Sequence, residues 1–183
     1  DLIRQQCAGI EKQWDVSFIG VLYPHRVDAL EKLRNRGVDV ALNPHRIDDA
    51  RDYASTTADQ PSWLDYMGAL AASRMTINFS QSNARPVQQL KTRVIEGMLA
   101  GTVVVTDDVD RTSRFFSQGV DYRYFRDLDA LPDVISRALA EPGILAESAA
   151  AVRPRAESLA KRGFWDAIDA GLRRRSLPSV LSP

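Results

Sequence analysis

Apolar positions along the chain alternate between two periods. Four short runs rich in β-branched and aromatic residues have the length and make-up of buried strands: "DVSFIGV" (Asp15–Val21), "VDVALN" (Val38–Asn43), "MTINFS" (Met75–Ser80) and "TVVVTD" (Thr102–Asp107). Between them apolar residues recur every three or four positions. Pro24 suits the first turn of a helix that carries Val27, Leu30 and Leu33 and stops at Gly37. Ser62 can cap a second helix, with Asp65 three residues on and Trp63, Met67 and Leu70 along one face. Val87–Ala100 predicts a third, with Leu90, Val94 and Met98 at four-residue spacing and Gly101 at its end. Asp110–Gln118 predicts a short helix and "DYRYF" a weak edge strand. Asp127 to about Arg175 is helical, with a break at Pro142–Gly143. Asn43–Gln60 has no firm period and reads as a long surface loop with room for one short helix.

Strands alternating with helices imply an α/β fold, a Rossmann-like parallel sheet of about five strands covered on both faces, followed by a C-terminal helical segment. The expected organisation is an N-terminal lead-in (1–14), the Rossmann-like domain (15–142), C-terminal helices packed on it (143–175) and a frayed tail (176–183). In an open parallel sheet, ligands bind beyond the C-terminal strand ends, where the strand order reverses. That places Gly20–Arg26, Asn43–Arg46, Ser80–Pro86 and Asp107–Thr112 along one edge, facing the start of the Val87 helix. A helix N-terminus offers free N–H groups and a partial positive charge, which suits phosphate.

The Val87 helix keeps polar residues where a strand-covering helix has least need of them. Gln88, Thr92 and Glu96 share a face at four-residue spacing, flanked by Lys91 and Arg93. Cations early in a helix oppose its macrodipole unless an anion is near. The set fits a ligand with hydroxyls and phosphates. A solvated face with Glu96 paired to Arg93 accounts for the spacing equally well.

Composition narrows the classes. Of 183 residues 44% are hydrophobic and 26% charged, with 24 basic and 24 acidic side chains, so no net charge draws the chain to nucleic acid or an anionic membrane. No apolar run approaches the roughly 20 residues that cross a bilayer, and "DLIRQQCAGIEKQWD" has no signal-peptide core. Cys7 is the single cysteine, which excludes an internal disulfide and fits a reducing, cytoplasmic setting; as a lone residue near a terminus it is a bystander.

Other chemistry-bearing residues divide between site and scaffold. "YPHR" and "NPHR" each follow a strand, bringing His25 and His45 towards the same edge. Two imidazoles are too few for a tight zinc site, and no metal is expected; contact of His25 with a phosphate or base is the better functional reading. Asp107, Asp108 and Asp110 end a strand and could hold magnesium, but capping of the next helix by Asp110 is favoured. A phosphoacceptor receiver domain needs acids after the first strand, where this chain reads "LYPHR". Asn78 and Ser80 end the third strand near the expected reversal and are candidate ligand contacts. The basic C-terminal stretch with Phe164 and Trp165 reads as a solvated helix with its aromatics packed inward rather than a nucleic-acid or membrane contact.

From about Asp15 to Asp169 the chain resembles the C-terminal, nucleotide-sugar-binding half of GT-B fold glycosyltransferases, nearest the CgeB-like branch of retaining transferases. The resemblance is carried by the order and spacing of "VSFIGVLYPHRVDALEKLRNRG", "YMGALAASRMTINFS", "LKTRVIEGMLAGTVVVTDD", "RFFSQGVDYRYF" and "FWDAID". It implies a nucleotide-diphosphate sugar as substrate, with no further cofactor. In that family two glutamates eight positions apart serve the ribose and the sugar side. Glu96 matches the ribose position, while Gln88 stands at the other and can hydrogen-bond but carries no charge. Gly20 matches a close-approach glycine and Arg26 a basic residue suited to the diphosphate; Lys91 and Arg93 are phosphate candidates by position and charge. The resemblance also implies an acceptor-binding N-terminal domain, as a further segment or a partner chain, without which the 183 residues bind donor and transfer poorly. The final "FWDAIDAGLRRR" resembles the helix that packs back across the interdomain cleft. A sugar-nucleotide epimerase half and a non-catalytic binding or assembly module with the same fold are the alternatives.

Overall fold

The computed structural model of the chain describes residues 2–42, 45–46, 62–80 and 90–160. Six strands make one sheet: β1 (Trp14–Phe18), β2 (Val40–Leu42), β3 (His45–Arg46), β4 (Ser73–Asn78), β5 (Val103–Thr106) and β6 (Tyr122–Tyr124). Their order is β3-β2-β1-β4-β5-β6. All neighbours pair in parallel except β2 and β3, where a two-residue strand turns back against β2. The chain runs outward from β1 to β2 and then returns on the other side of β1 as β4. The strand order therefore reverses between β1 and β4. Helices α1 (Leu2–Cys7), α2 (Pro24–Arg34), α3 (Trp63–Ala71), α4 (Thr92–Leu99), α5 (Leu131–Leu139) and α6 (Pro142–Ser158) complete the described elements.

The two faces of the sheet differ in chemistry because side chains alternate along each strand. Val16, Phe18, Val40, Leu42, Met75, Ile77, Val103 and Val105 turn to one face and pack with Leu30 and Leu33 of α2, Leu131 and Ile135 of α5, and Leu145 and Ala149 of α6. Ser17, Thr76 and Val104 belong to the opposite phase of the same strands and are fully buried. This second face of small side chains lets α4 lie very close. A Cβ built on Gly97 would stand 3.0 Å from Thr76 Cγ2 and 3.2 Å from Val104 Cγ2. Val94 and Met98 of α4 then pack with Val104, Tyr122 and, from α6, Val152 and Ala156.

The ends of the elements follow local chemistry. Pro24 opens α2, and Gly37, at φ +78°, allows the turn after it. Ser62 Oγ accepts from the Asp65 amide at 3.2 Å, the expected cap of α3. Lys12 Nζ donates to the carbonyls of Ala71, Ser73 and Gly101, each at 2.8 Å, closing the chain between α3 and β4 and the turn after α4. Residues 2–7, read as lead-in, form α1 against α3, and Cys7 is buried there. Two predicted helices are shorter than expected. The Val87–Ala100 helix begins only at Thr92, with Lys91 at its cap in extended conformation. The Asp110–Gln118 helix reduces to a 3-10 turn at Thr112–Arg114. There the Asp110 carboxylate takes the Thr112 amide, Asp108 takes that of Ser113, and Arg111 adopts a left-handed φ of 59°. Side chains that bond nearby amides compete with a helix in this way. Pro142, read as a break, is the first residue of α6. The stretches 47–61 and 161–183, with Phe164, Trp165 and "FWDAID", lie outside the described residues.

Gly97→Val is expected to lower stability by about 1–3 kcal/mol through overpacking, whereas Gly68→Ala, at a helical site with nothing within 4 Å, should raise it by about 0.5–1 kcal/mol. Urea unfolding of the two variants checks both signs; equal effects would place α4 further from the sheet than described.

Candidate functional site

At the reversal of strand order, three aromatic rings build a floor under two arginines. Phe18 ends β1, Tyr23 caps α2 and Phe79 follows β4; Phe18 and Phe79 meet edge to face at 5.1 Å. Arg26, in the first turn of α2, is 5% exposed. Its guanidinium carbon lies 4.6 Å from the Tyr23 ring centroid, 5.4 Å from that of Phe79 and 5.6 Å from that of Phe18. Nη1 donates to the Val21 carbonyl at 2.9 Å. Arg93, the second residue of α4, reaches the same Phe18 ring at 5.3 Å. The ring quadrupoles attract both cations. Burial, and after it the neighbouring Arg93, lowers the Arg26 pKa from its ordinary value, with Tyr23 and Asp107 opposing.

Gly20 explains how Arg93 fits. A Cβ there would stand 2.7 Å from Arg93 Nη2, and its φ is +156°. The expected close approach to this glycine is thus made by a side chain of the protein itself. Arg93 Nε is buried and has no hydrogen-bond partner among the described residues. Its position one turn before Gly97 points it at the sheet, and the tight seat of α4 sets how far it reaches.

Glu96 faces sideways from α4. Tyr66 of α3 donates its hydroxyl to Glu96 Oε2 at 2.7 Å, so the carboxylate reaches a neighbouring helix rather than serving only its own. Burial first, then the negative charge of Glu96, raises the Tyr66 pKa well above the ordinary phenol value, with Arg93 opposing. Tyr66 is the neighbour of Glu96 that sequence pattern did not find. It lies beside Met67 on a helix read only for its apolar face, and nothing in spacing pairs residues of α3 and α4.

The remaining candidates separate. Lys91 lies at the α4 N-terminus, where its backbone N–H meets Asp110 Oδ2 at 3.4 Å, and Thr92 is the exposed first helical residue. Gln88 lies outside the described residues; of the expected Gln88–Thr92–Glu96 stripe, Thr92 and Glu96 lie on α4, which begins at Thr92. His25 is exposed and stacks on Tyr23 at 5.9 Å between centroids; the His45 side chain lies outside the described residues. Asn78 and Ser80 are fully buried. Asn78 Nδ2 donates to Thr106 Oγ1 at 3.1 Å and Asp110 Oδ2 at 2.9 Å, and the Ser80 amide donates to Asp107 Oδ2 at 3.3 Å. Both serve to join the loops after β4 and β5. The aspartates do the same: Asp110 also accepts from Thr112 Oγ1 at 2.8 Å. Among the described residues no group of three or more His, Cys, Asp or Glu is arranged to hold a metal ion. No helix among them is long and apolar enough to cross a membrane.

A family model described as glycosyl transferase-like matches residues 26–161. The chain belongs to this glycosyl transferase-like family. The matched segment begins at Arg26 and takes in Tyr66, Arg93 and Glu96. Among solved structures, sucrose-phosphate synthase from Thermosynechococcus elongatus superposes with a TM-score of 0.56 and 16% identity, over 95% of this chain and 48% of that one. At that identity the likeness is one of fold: the family member described here has the architecture of one half of a GT-B protein. It spans about half the length of the solved structure that it matches. No curated protein matches its sequence.

Two outcomes follow from this geometry. Gly20→Ala should displace the Arg93 guanidinium and cost about 1–3 kcal/mol through backbone strain, read by urea unfolding. A change under 0.5 kcal/mol, about the scatter of neutral surface substitutions, would contradict the close contact. Burial raises the Asp107 pKa above its ordinary 3.8. Its protonated form therefore favours the folded state, and that contribution fades as pH rises from 3.8 through the raised value. Unfolding measured across this range should show wild type losing stability relative to Asp107→Asn as pH rises; a constant difference would show that Asp107 titrates normally.

Proposed function

We propose that this chain is the donor-binding half of a glycosyltransferase and takes a nucleotide-diphosphate sugar at the β1–β4 reversal. The observation that carries the reading is the pair Arg26 and Arg93, two like charges set against one Phe18 ring at the N-terminal end of α4. Burial, mutual repulsion and the positive end of the helix all disfavour that arrangement, and an anion bound there reverses the second and third. A diphosphate brings negative charge to both cations, and guanidinium forks match its oxygens. Lys91, at the cap of the same helix, adds a third cation beside the site. Glu96 accepts from the ribose hydroxyls, and Gln88 remains the candidate for the sugar side on resemblance alone.

The chemistry follows from where charge develops. As the bond between the anomeric carbon and the β-phosphate oxygen breaks, negative charge grows on the departing nucleoside diphosphate. Fixed cations and the free N–H groups of a helix N-terminus stabilise that charge more than they stabilise the intact donor. In this reading the arginines take the part a metal ion plays elsewhere, and no metal is required. The acceptor and any group that activates it come from an N-terminal domain or a partner chain. The family membership and the half-length match to a GT-B structure support this division, and membership of the CgeB-like branch rests on the resemblance alone.

Calorimetric titration with UDP, GDP, ADP and dTDP and their glucose conjugates, with and without magnesium, tests the proposal. One nucleotide should bind saturably and independently of magnesium, and Glu96→Ala and Arg26→Ala should each weaken it about tenfold or more, the loss expected for a charged hydrogen bond. Absence of binding by every member would favour the assembly-module alternative.

A further inference from the structure

Beyond the arginine pair, α3 and α4 meet through a side-chain hydrogen bond. Tyr66 sits in the first half of α3 and Glu96 in the middle of α4. The 2.7 Å bond joins them directly, and Tyr66 is half-buried. Arg93 interacts electrostatically with the same phenol.

Resting on the donor-site reading, we propose that Tyr66 is a positioning residue. It ties Oε2 of Glu96 so that the carboxylate's remaining acceptor capacity is presented to the vicinal diol of a ribonucleotide. A free glutamate side chain samples several rotamers, and ordering one on binding costs free energy. A carboxylate already fixed through one oxygen loses less when it accepts two hydroxyls. The phenol hydroxyl is well suited to this. Burial and the adjacent carboxylate raise its pKa, so at neutral pH it stays protonated and donates. Tyr66 makes no contact with the ligand itself; it sets how strongly the site distinguishes ribose from a sugar without hydroxyls.

Tyr66→Phe keeps the ring and removes only the hydroxyl. The test measures binding of a nucleoside diphosphate and its 2′,3′-dideoxy counterpart to the wild-type chain and to this variant. Wild type should prefer the ribonucleotide, and Tyr66→Phe should cut that preference by about fivefold or more, in line with loss of a hydrogen bond to a charged group. Affinity for the dideoxy compound should hardly change. A purely structural role would weaken both ligands equally, and that result overturns the proposal while leaving the donor site standing, as does an unchanged preference. If wild type binds neither compound, or does not discriminate between them, the reading of Glu96 as a ribose contact fails and the positioning role fails with it.

Discussion

The seat of α4 on the sheet is the constraint from which the rest of the site follows. Because Gly97 leaves no room for a Cβ against Thr76 and Val104, the helix has one rotational setting. That setting sends Arg93, one turn earlier, towards Phe18 and Gly20 at the end of β1. It also turns Glu96 towards Tyr66 of α3 and leaves Val94 and Met98 to the core shared with α6. A larger residue at 97, or a larger one than threonine at 76, would move all three together. The small, partly polar second face of the sheet is thus what lets α4 sit close, rather than a gap in the hydrophobic pattern.

A second device fixes the N-terminus of that helix. The buried Asp110 carboxylate joins Asn78 at the end of β4, the Lys91 amide before α4 and Thr112 in the turn after β5. The end of β4, the start of α4 and the turn after β5 are thus held by one side chain, with Asp107 bonding Ser80 beside it. Binding sites on rigidly held loops lose little entropy when a ligand arrives. The aspartates of this segment act as joints, and their lone pairs are directed to backbone amides and hydroxyls.

Much of the architecture was legible in the sequence. Strand composition and helical spacing suffice for the parallel sheet, and the strand-end rule locates Gly20, Arg26 and the α4 N-terminus at one edge. Family resemblance pointed to Glu96. The parts that were not legible depend on tertiary contact. Nothing in the spacing of Lys91 and Thr92 tells that the helix starts between them; the bond from Asp110, distant in sequence, bears on that point. Asn78 and Ser80 looked like ligand contacts because they are polar at the right strand end, but burial and bonding to Thr106 and Asp107 make them internal. Tyr66 and the aromatic floor were invisible because each joins elements that no local pattern relates. The short helix after β5 failed for a local reason that could have been seen: three aspartates within four residues each take a nearby amide.

In the proposed reading, Arg26 and Arg93 are held together to receive a diphosphate. A crystal structure of the chain with a bound nucleoside diphosphate tests it most directly. The account predicts phosphate oxygens within hydrogen-bond distance of both guanidiniums and at the N-terminus of α4, with the ribose at Glu96. Phosphates found elsewhere, for instance in the basic cleft lined by Lys12, Arg74 and Arg153 at the opposite end of the strands, with the two arginines untouched, would contradict it.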